Sequence, residues 1–428
     1  MNRALRFRVC ISVVLAVCLC LTLFGVASAQ SYNLGGKTVT FLLHGGLVTL
    51  FNTPEMMDKR LQVEKDFNCK IEVLEVQWDQ YPNTITRRLM SGESAYDVIS
   101  HIGSGDIVTL MSQGALMPLD NVLPEVYRNN VPSLSKDLME SLRYKGNLYA
   151  FVTGSSSAID MMEYVAYNKE IFESMALPDP YELYLNDEWT WDTFTDIAKR
   201  LTVDIDNDGA IDQWGFDVFP TISVVLSNDG RYVRSIDGKM TFTADEKNVV
   251  EALNQMDAWW QAGIFRGYGP DAFVAGKTGM FYMNHYVLRD LLNPATGAWD
   301  VDFDFGIVPV PKGPSATGYR GAAMGFNYAC LPANSAEPEA LIALVNALYP
   351  CEQLIEGTME SFRQWAPNRE SYEVLVDSIT KWEGATDPYF GRVADGWGGF
   401  QRGDKDWSSF LASIKPEKQA ILDDIFGE

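Results

Sequence analysis

Residues 37–46 (KTVTFLLHGG), 69–76 (CKIEVLEV) and 97–106 (DVISHIGSGD) are three short apolar runs, each closing on a polar or glycine-rich turn. Between them, 54–68 and 79–91 carry helical patterns, the second (DQYPNTITRRLMS) closed by Gly92. A strand that returns after a helix, roughly every 25 residues, is the signature of a parallel sheet with crossover helices. In such sheets the loops after the carboxyl ends of the strands gather on one edge, where ligands bind. The loops at 44–47 and 101–106 are therefore candidate site loops. Neither HGG nor GSG has the spacing of a dinucleotide fingerprint or a phosphate-binding loop, so glycine content alone assigns no ligand.

The pattern restarts beyond residue 145. GNLYAFVTG (146–154) and YVAYNKEIF (164–172) bracket a strand and a helix start. WTWDTFTDIAKRLT (189–202) reads as a helix with Thr190 as N-cap. Its apolar face is Trp191, Phe194, Ile197, Ala198 and Leu201, and Lys199 and Arg200 fill the last turn. Further helices are expected at 245–262, 337–349, 369–382 and 415–426, and strands at 303–311 and 326–332. No internal repeat or low-complexity tract interrupts the chain.

Composition bounds the function. Over 428 residues, 34 basic against 57 acidic side chains give a net charge of −23, which phosphate surfaces would repel. Nucleic acid and anionic membranes are excluded as partners. With 47% apolar residues the chain should fold into two or three packed domains rather than remain a disordered acidic tail. Arg3, Arg6 and Arg8, the apolar run 9–24 and Ala27-Ser28-Ala29 form a signal peptide over 1–29 with cleavage before Gln30. The alternative is an uncleaved anchor, for which roughly 16 apolar residues is short. The export signal places the protein in the periplasm or outside the cell, and no cysteine in it suits a lipoprotein acceptor. Beyond it remain Cys69, Cys330 and Cys351, too few for a disulfide scaffold. Either one bridge, Cys330 to Cys351, or buried free thiols would account for them.

Residues 204–212 (DIDNDGAID) reproduce the first nine positions of an EF-hand-type Ca²⁺ loop. Asp204, Asp206, Asp208 and Asp212 are the carboxylates and Ala210 the carbonyl donor. Gly215 stands where a bidentate Glu belongs, unless Asp217 reaches in. The reading is open between a weak structural Ca²⁺ site and a metal-free Asx-turn. Eleven tryptophans suit a sugar binder, because aromatic faces stack on pyranose C–H groups. Most should be core; Trp78, Trp365 and Trp397 lie in loop-like contexts and are candidate stacking surfaces. No G-x-S-x-G or triad context appears. A carboxylate pair of a secreted glycoside hydrolase is defined by separation in space, and sequence does not address it.

The stretch 67–124, together with YKGNLYAFV (144–152), VAYNKEIFESMALPDP (165–180), EWTWDTFTDIAKRLT (188–202), FVAGKTGMFYMN (273–284) and FGIVPVPKGP (305–314), resembles sugar-binding extracellular solute-binding proteins of ABC importers, the maltose-binding-protein-like type. The resemblance implies a two-lobe periplasmic-binding-protein fold of α/β class, each lobe a mostly parallel sheet flanked by helices. The first lobe would span 37–148 and 304–352, the second 149–303 and 353–428. It implies a monomer without enzymatic activity that binds a mono- or oligosaccharide and delivers it to a membrane permease. A peptide or polyamine would be the alternative cargo on the same fold. Carried over by position, His44, Gly45, Ser104 and Asp106 would serve from the first lobe. Asp160, Phe219 and Tyr286 would serve from the second, with Trp365, Asn368, Arg369 and Trp397 closing the site. Residues 281–287 (FYMNHYV) depart from the Gly-x-Trp that relatives carry there.

Overall fold

The computed structural model describes residues 32–77, 80–90, 96–129, 133–155, 159, 161–267, 269–289, 301–322, 327–394 and 405–427. Its strands, in chain order, are β1 Thr38–His44, β2 Lys70–Val76, β3 Val98–Gly103, β4 Glu163–Asn168, β5 Trp214–Phe216, β6 Val233–Ile236, β7 Lys239–Phe242, β8 Thr278–Asn284, β9 Phe305–Pro309, β10 Arg320–Ala322, β11 Asn327–Cys330 and β12 Glu383–Ala385. The first sheet has the order β11-β3-β1-β2 and the second β5-β8-β4-β9. Two small pairs, β10-β12 and β6-β7, complete the sheets of the described residues.

The first sheet follows the expected alternation. β1 runs parallel to β2 and to β3, and β11 adds antiparallel to β3. The helix Pro54–Phe67 connects β1 to β2, with Pro54 in its first turn and Thr53 accepting from the Met56 amide. The second sheet is mixed rather than mostly parallel: β5 and β8 are parallel, but β4 runs antiparallel to both β8 and β9. The reason lies in the entry point. The chain arrives from the first lobe at the edge where β8 ends, so β4 runs away from that edge, pairing Glu163 with Asn284 and Tyr167 with Met280.

The helix Trp191–Leu201 keeps the reading from periodicity. Thr190 and Thr193 form a reciprocal capping box, and Trp191, Phe194, Ile197, Ala198 and Leu201 are buried. The lobe boundaries differ from expectation. β9 pairs with β4 and β10 with β12, so residues 305–322 belong to the second lobe, and within the expected segment 304–352 the first lobe keeps β11 and the helix Pro338–Leu348, which packs on Pro54–Phe67. The span implied by the resemblance placed β9 in the first lobe, and its pairing with β4 puts it in the second.

The crossing segments lie side by side. Phe151 and Ala329 exchange N–H···O bonds of 2.9 and 2.8 Å, and the Gly154 amide donates to the Tyr349 carbonyl at 3.0 Å. A Cβ built on Gly154 would lie 1.9 Å from the Pro350 carbonyl oxygen, so only glycine permits this approach. Cys69, Cys330 and Cys351 are buried free thiols, which replaces the candidate Cys330–Cys351 bridge. The signal segment 1–29 lies outside the described residues. No helix among the described residues is long and apolar enough to cross a membrane.

Candidate functional site

The carboxyl ends of β1 and β3 do not open into the glycine-rich loops expected at 44–47 and 101–106; each passes directly into a helix. Gly45–Phe51 begins immediately after His44, and Ser104–Ser112 immediately after Gly103. Neither helix has a side-chain hydrogen bond at its N-cap. The first backbone N–H groups of a helix have no intrahelical acceptor, and the helix dipole puts partial positive charge there. This edge thus offers main-chain donors to an oxygen-rich ligand. A Cβ on Gly45 would lie 2.8 Å from Oε1 of the exposed Glu75 at the end of β2, a flexible side chain that can swing away, so the site tolerates more than glycine. His44 is half-buried, which lowers its pKa and keeps the imidazole neutral. Asp106, in the first turn of its helix, is half-buried; burial raises its pKa and the Arg392 charge opposes that rise.

The facing edge belongs to the second sheet, where β5 and β8 end and β4 begins. Tyr282 donates its backbone N–H to Asp217 Oδ1 and its hydroxyl to Glu163 Oε1, each at 2.9 Å. All three side chains are buried, and burial holds the Asp217 carboxyl well above the ordinary carboxylate range. Beside them the Tyr164 hydroxyl lies 2.6 Å from His285 Nε2 and 2.7 Å from Ser378 Oγ. Burial pulls His285 down to about 3, so its ring is neutral at physiological pH. On this packed base Tyr286 is 45% exposed, with the Arg289 guanidinium 5.9 Å from its ring centroid. It is an exposed aromatic ring beside this edge of the second lobe.

The remaining candidates separate cleanly. Trp365 is 8% exposed, its ring 6.5 Å from His285 and 6.0 Å from Phe362, and it supports the edge from behind. Phe219 is core: it is fully buried among Phe194, Phe216, Trp259 and Tyr282. Asn368 caps the helix Arg369–Thr380 and donates to the Phe305 carbonyl at 2.8 Å. Phe305 pairs with Asn168 at the far end of β4, so Asn368 and Arg369 lie at the edge away from the cleft. Arg369 there is exposed and bonded to Glu373. Ser104 starts its helix at the cleft edge. Trp78, Asp160 and Trp397 lie outside the described residues.

Sequence reading missed Arg392. In the short helix Phe390–Val393, it reaches the Gly105 carbonyl at 3.4 Å, linking the C-terminal region to the first lobe across the rim. Nothing in its local sequence, FGRVADG, distinguishes it from a surface arginine.

The acidic loop sits before β5, at the end of the second sheet remote from the cleft. Asp204, Asp206 and Asp208 each present a carboxylate oxygen within 4.8 Å of the others. Asp204 also accepts the amides of Asp208 and Gly209, and Asp208 that of Ala210. Asp212 turns back to accept the Ile205 amide at 2.8 Å. Gly215 packs against the Ala198 carbonyl and Asp217 is committed at the opposite end of β5, so neither completes the ligand set.

Residues 54–349 match the model of the bacterial extracellular solute-binding protein family. No curated protein matches the chain by sequence. Among solved structures, the chain is similar to a cyclic α-maltosyl-1,6-maltose binding protein from Arthrobacter globiformis (TM-score 0.67, 15% identity, 91% of this chain and 99% of that one). It is also similar to the extracellular solute-binding protein from Staphylococcus aureus in complex with maltose (0.61, 15%, 91% and 96%). UspC from M. tuberculosis gives 0.60 at 17% identity over 90% and 100% of the two chains. At these identities the likeness is one of fold, and it spans both lobes.

Proposed function

The chain belongs to the bacterial extracellular solute-binding protein family, and from that premise we propose that it captures a carbohydrate between its lobes and delivers it to the permease of an ABC importer. The observation that carries this reading is the pairing of unlike edges. Two uncapped helix N-termini on the first lobe supply donors for hydroxyl oxygens, and exposed Tyr286 on the second supplies a stacking face. Two similar structures, a cyclic α-maltosyl-1,6-maltose binding protein and a solute-binding protein in complex with maltose, agree with such a site. Capture works by population shift: a ligand touching both lobes stabilises the closed form, which the permease then recognises. No bond is made or broken. The mature protein is an exported monomer lacking residues 1–29, and the carboxylates of Asp204, Asp206 and Asp208 hold a Ca²⁺ ion weakly as a brace remote from the ligand.

A thermal-shift screen over a broad panel of mono- and oligosaccharides, with peptides and polyamines alongside, tests the proposal. A saccharide that raises the melting temperature and changes tryptophan fluorescence is the expected result. A response confined to a peptide or an amine would overturn the cargo.

A further inference from the structure

A cavity of about 610 Å³ lies between the lobes, lined by residues 140–146 of the first and by 231–240, 386–389 and 426–427 of the second. Its walls carry Arg143, Lys145, Arg231 and Arg234 against a single lining carboxylate among the described residues, Glu140. In a chain of net charge −23 this is a local inversion of sign.

Two of these cations are spoken for. Arg143 binds Glu140 and, at 2.8 Å, Asp120, and Arg234 lies 3.4 Å from Glu246 and donates to the Asp229 carbonyl at 2.6 Å. The other two make no direct ion pair with a carboxylate among the described residues. Arg231 makes one hydrogen bond to a described residue, from Nη1 to the Gly230 carbonyl at 2.6 Å. The nearby Asp387 carboxylate, with Asp229 behind it, opposes the effect of burial on Arg231, while the Asp387 oxygens accept the backbone amides of Tyr232, Val233 and Tyr389. Burial pulls Arg231 down to about 10, which leaves it charged at neutral pH. Lys145 pairs with no carboxylate among the described residues; its ammonium lies 5.3 Å from the Tyr144 ring centroid. A tight turn aims it there: Tyr144 and Asn147 exchange two backbone bonds of 2.9 Å, with both Lys145 and Gly146 at positive φ.

We propose that this cavity binds a small multivalent oxyanion, phosphoryl or polycarboxylate, and that the anion favours the closed arrangement of the lobes. The edge of the Arg231 guanidinium that bonds no described residue presents planar donors suited to an oxyanion, and Lys145 adds a point charge from the opposite lobe. Bringing the two cationic walls together costs repulsion that an anion between them removes, whereas opening the lobes would separate its ligands. The site is built by side chains outside the cleft edges described above and does not depend on the identity of the cleft's ligand.

Titration calorimetry of the full mature chain with pyrophosphate and, separately, citrate, each against sodium chloride at equal ionic strength, tests the proposal. Saturable one-to-one binding of either anion is expected, and which one binds distinguishes phosphoryl from carboxylate recognition. K145E, placed on an exposed turn where the fold tolerates it, should weaken binding at least tenfold, as should R231Q if its melting curve shows it folded. The anion should also reduce the radius of gyration of the wild-type chain in X-ray scattering and leave that of K145E unchanged. No binding of either anion, or equal binding to wild type and K145E, would overturn the site; binding without compaction would overturn the coupling to closure.

Discussion

The two cleft edges are built from different materials. On the first lobe the chain turns from strand to helix at His44–Gly45 and Gly103–Ser104, and both helices start without a side-chain cap bond, leaving main-chain donors at this edge. On the second, a buried layer of Glu163, Asp217, Tyr282, Tyr164 and His285 supports one exposed ring, Tyr286. Main-chain donors survive most substitutions that leave the helix start intact. A side-chain platform is as exact as the layer beneath it. The first edge should therefore respond to changes in backbone geometry, and the second to changes in single side chains.

The largest effect that would sharpen this contrast lies beneath the second edge. F219A should cost about 3–5 kcal/mol of stability, because the ring is deleted from a closed aromatic cluster; chemical denaturation measures it. An unchanged stability would mean that the layer is not packed as described. Next is the pH response. His285 is neutral in the folded state, with its pKa depressed to about 3, while the unfolded ring titrates near 6.5. Its contribution is present above the unfolded pKa and is lost as pH falls. Stability should decline by about 1.4 kcal/mol per pH unit from this group below pH 6.5, and H285Q should flatten that slope in denaturation curves at pH 7, 6 and 5. The smallest effect belongs to the rim. R392A removes an exposed contact and should weaken ligand binding by no more than about 1 kcal/mol, with little change in melting temperature; a larger loss would promote Arg392 to a direct ligand contact.

Periodicity carried the helices well, since an apolar stripe with a cap, as in Thr190 to Leu201, leaves few alternatives. It also placed β1 to β3 and the edge at which they end. It could not say which lobe β9 joins, because FGIVP is buried on both faces in either sheet and only pairing decides. The same limit explains the site residues. The strand-end positions of His44, Gly45, Ser104 and Asp106 were legible, because each strand runs straight into a helix there, whereas the surroundings of Phe219 and Asn368 were not. A phenylalanine three residues beyond a strand points into the core or the cleft depending on the next turn, and an Asn before a helix is first of all an N-cap. Arg392 acts through a contact some 290 residues away in sequence, |i−j| = 287, which no local pattern encodes.

The central claim is that ligand binds at the edge bearing Tyr286 and not at the far edge bearing Arg369. It is tested most directly by calorimetry of the best-responding saccharide with wild type, Y286A and R369A. The account predicts at least a tenfold loss of affinity, about 1.4 kcal/mol, for Y286A with an unchanged melting temperature in the absence of ligand, and no change for R369A. Full affinity in Y286A together with a loss in R369A would contradict it.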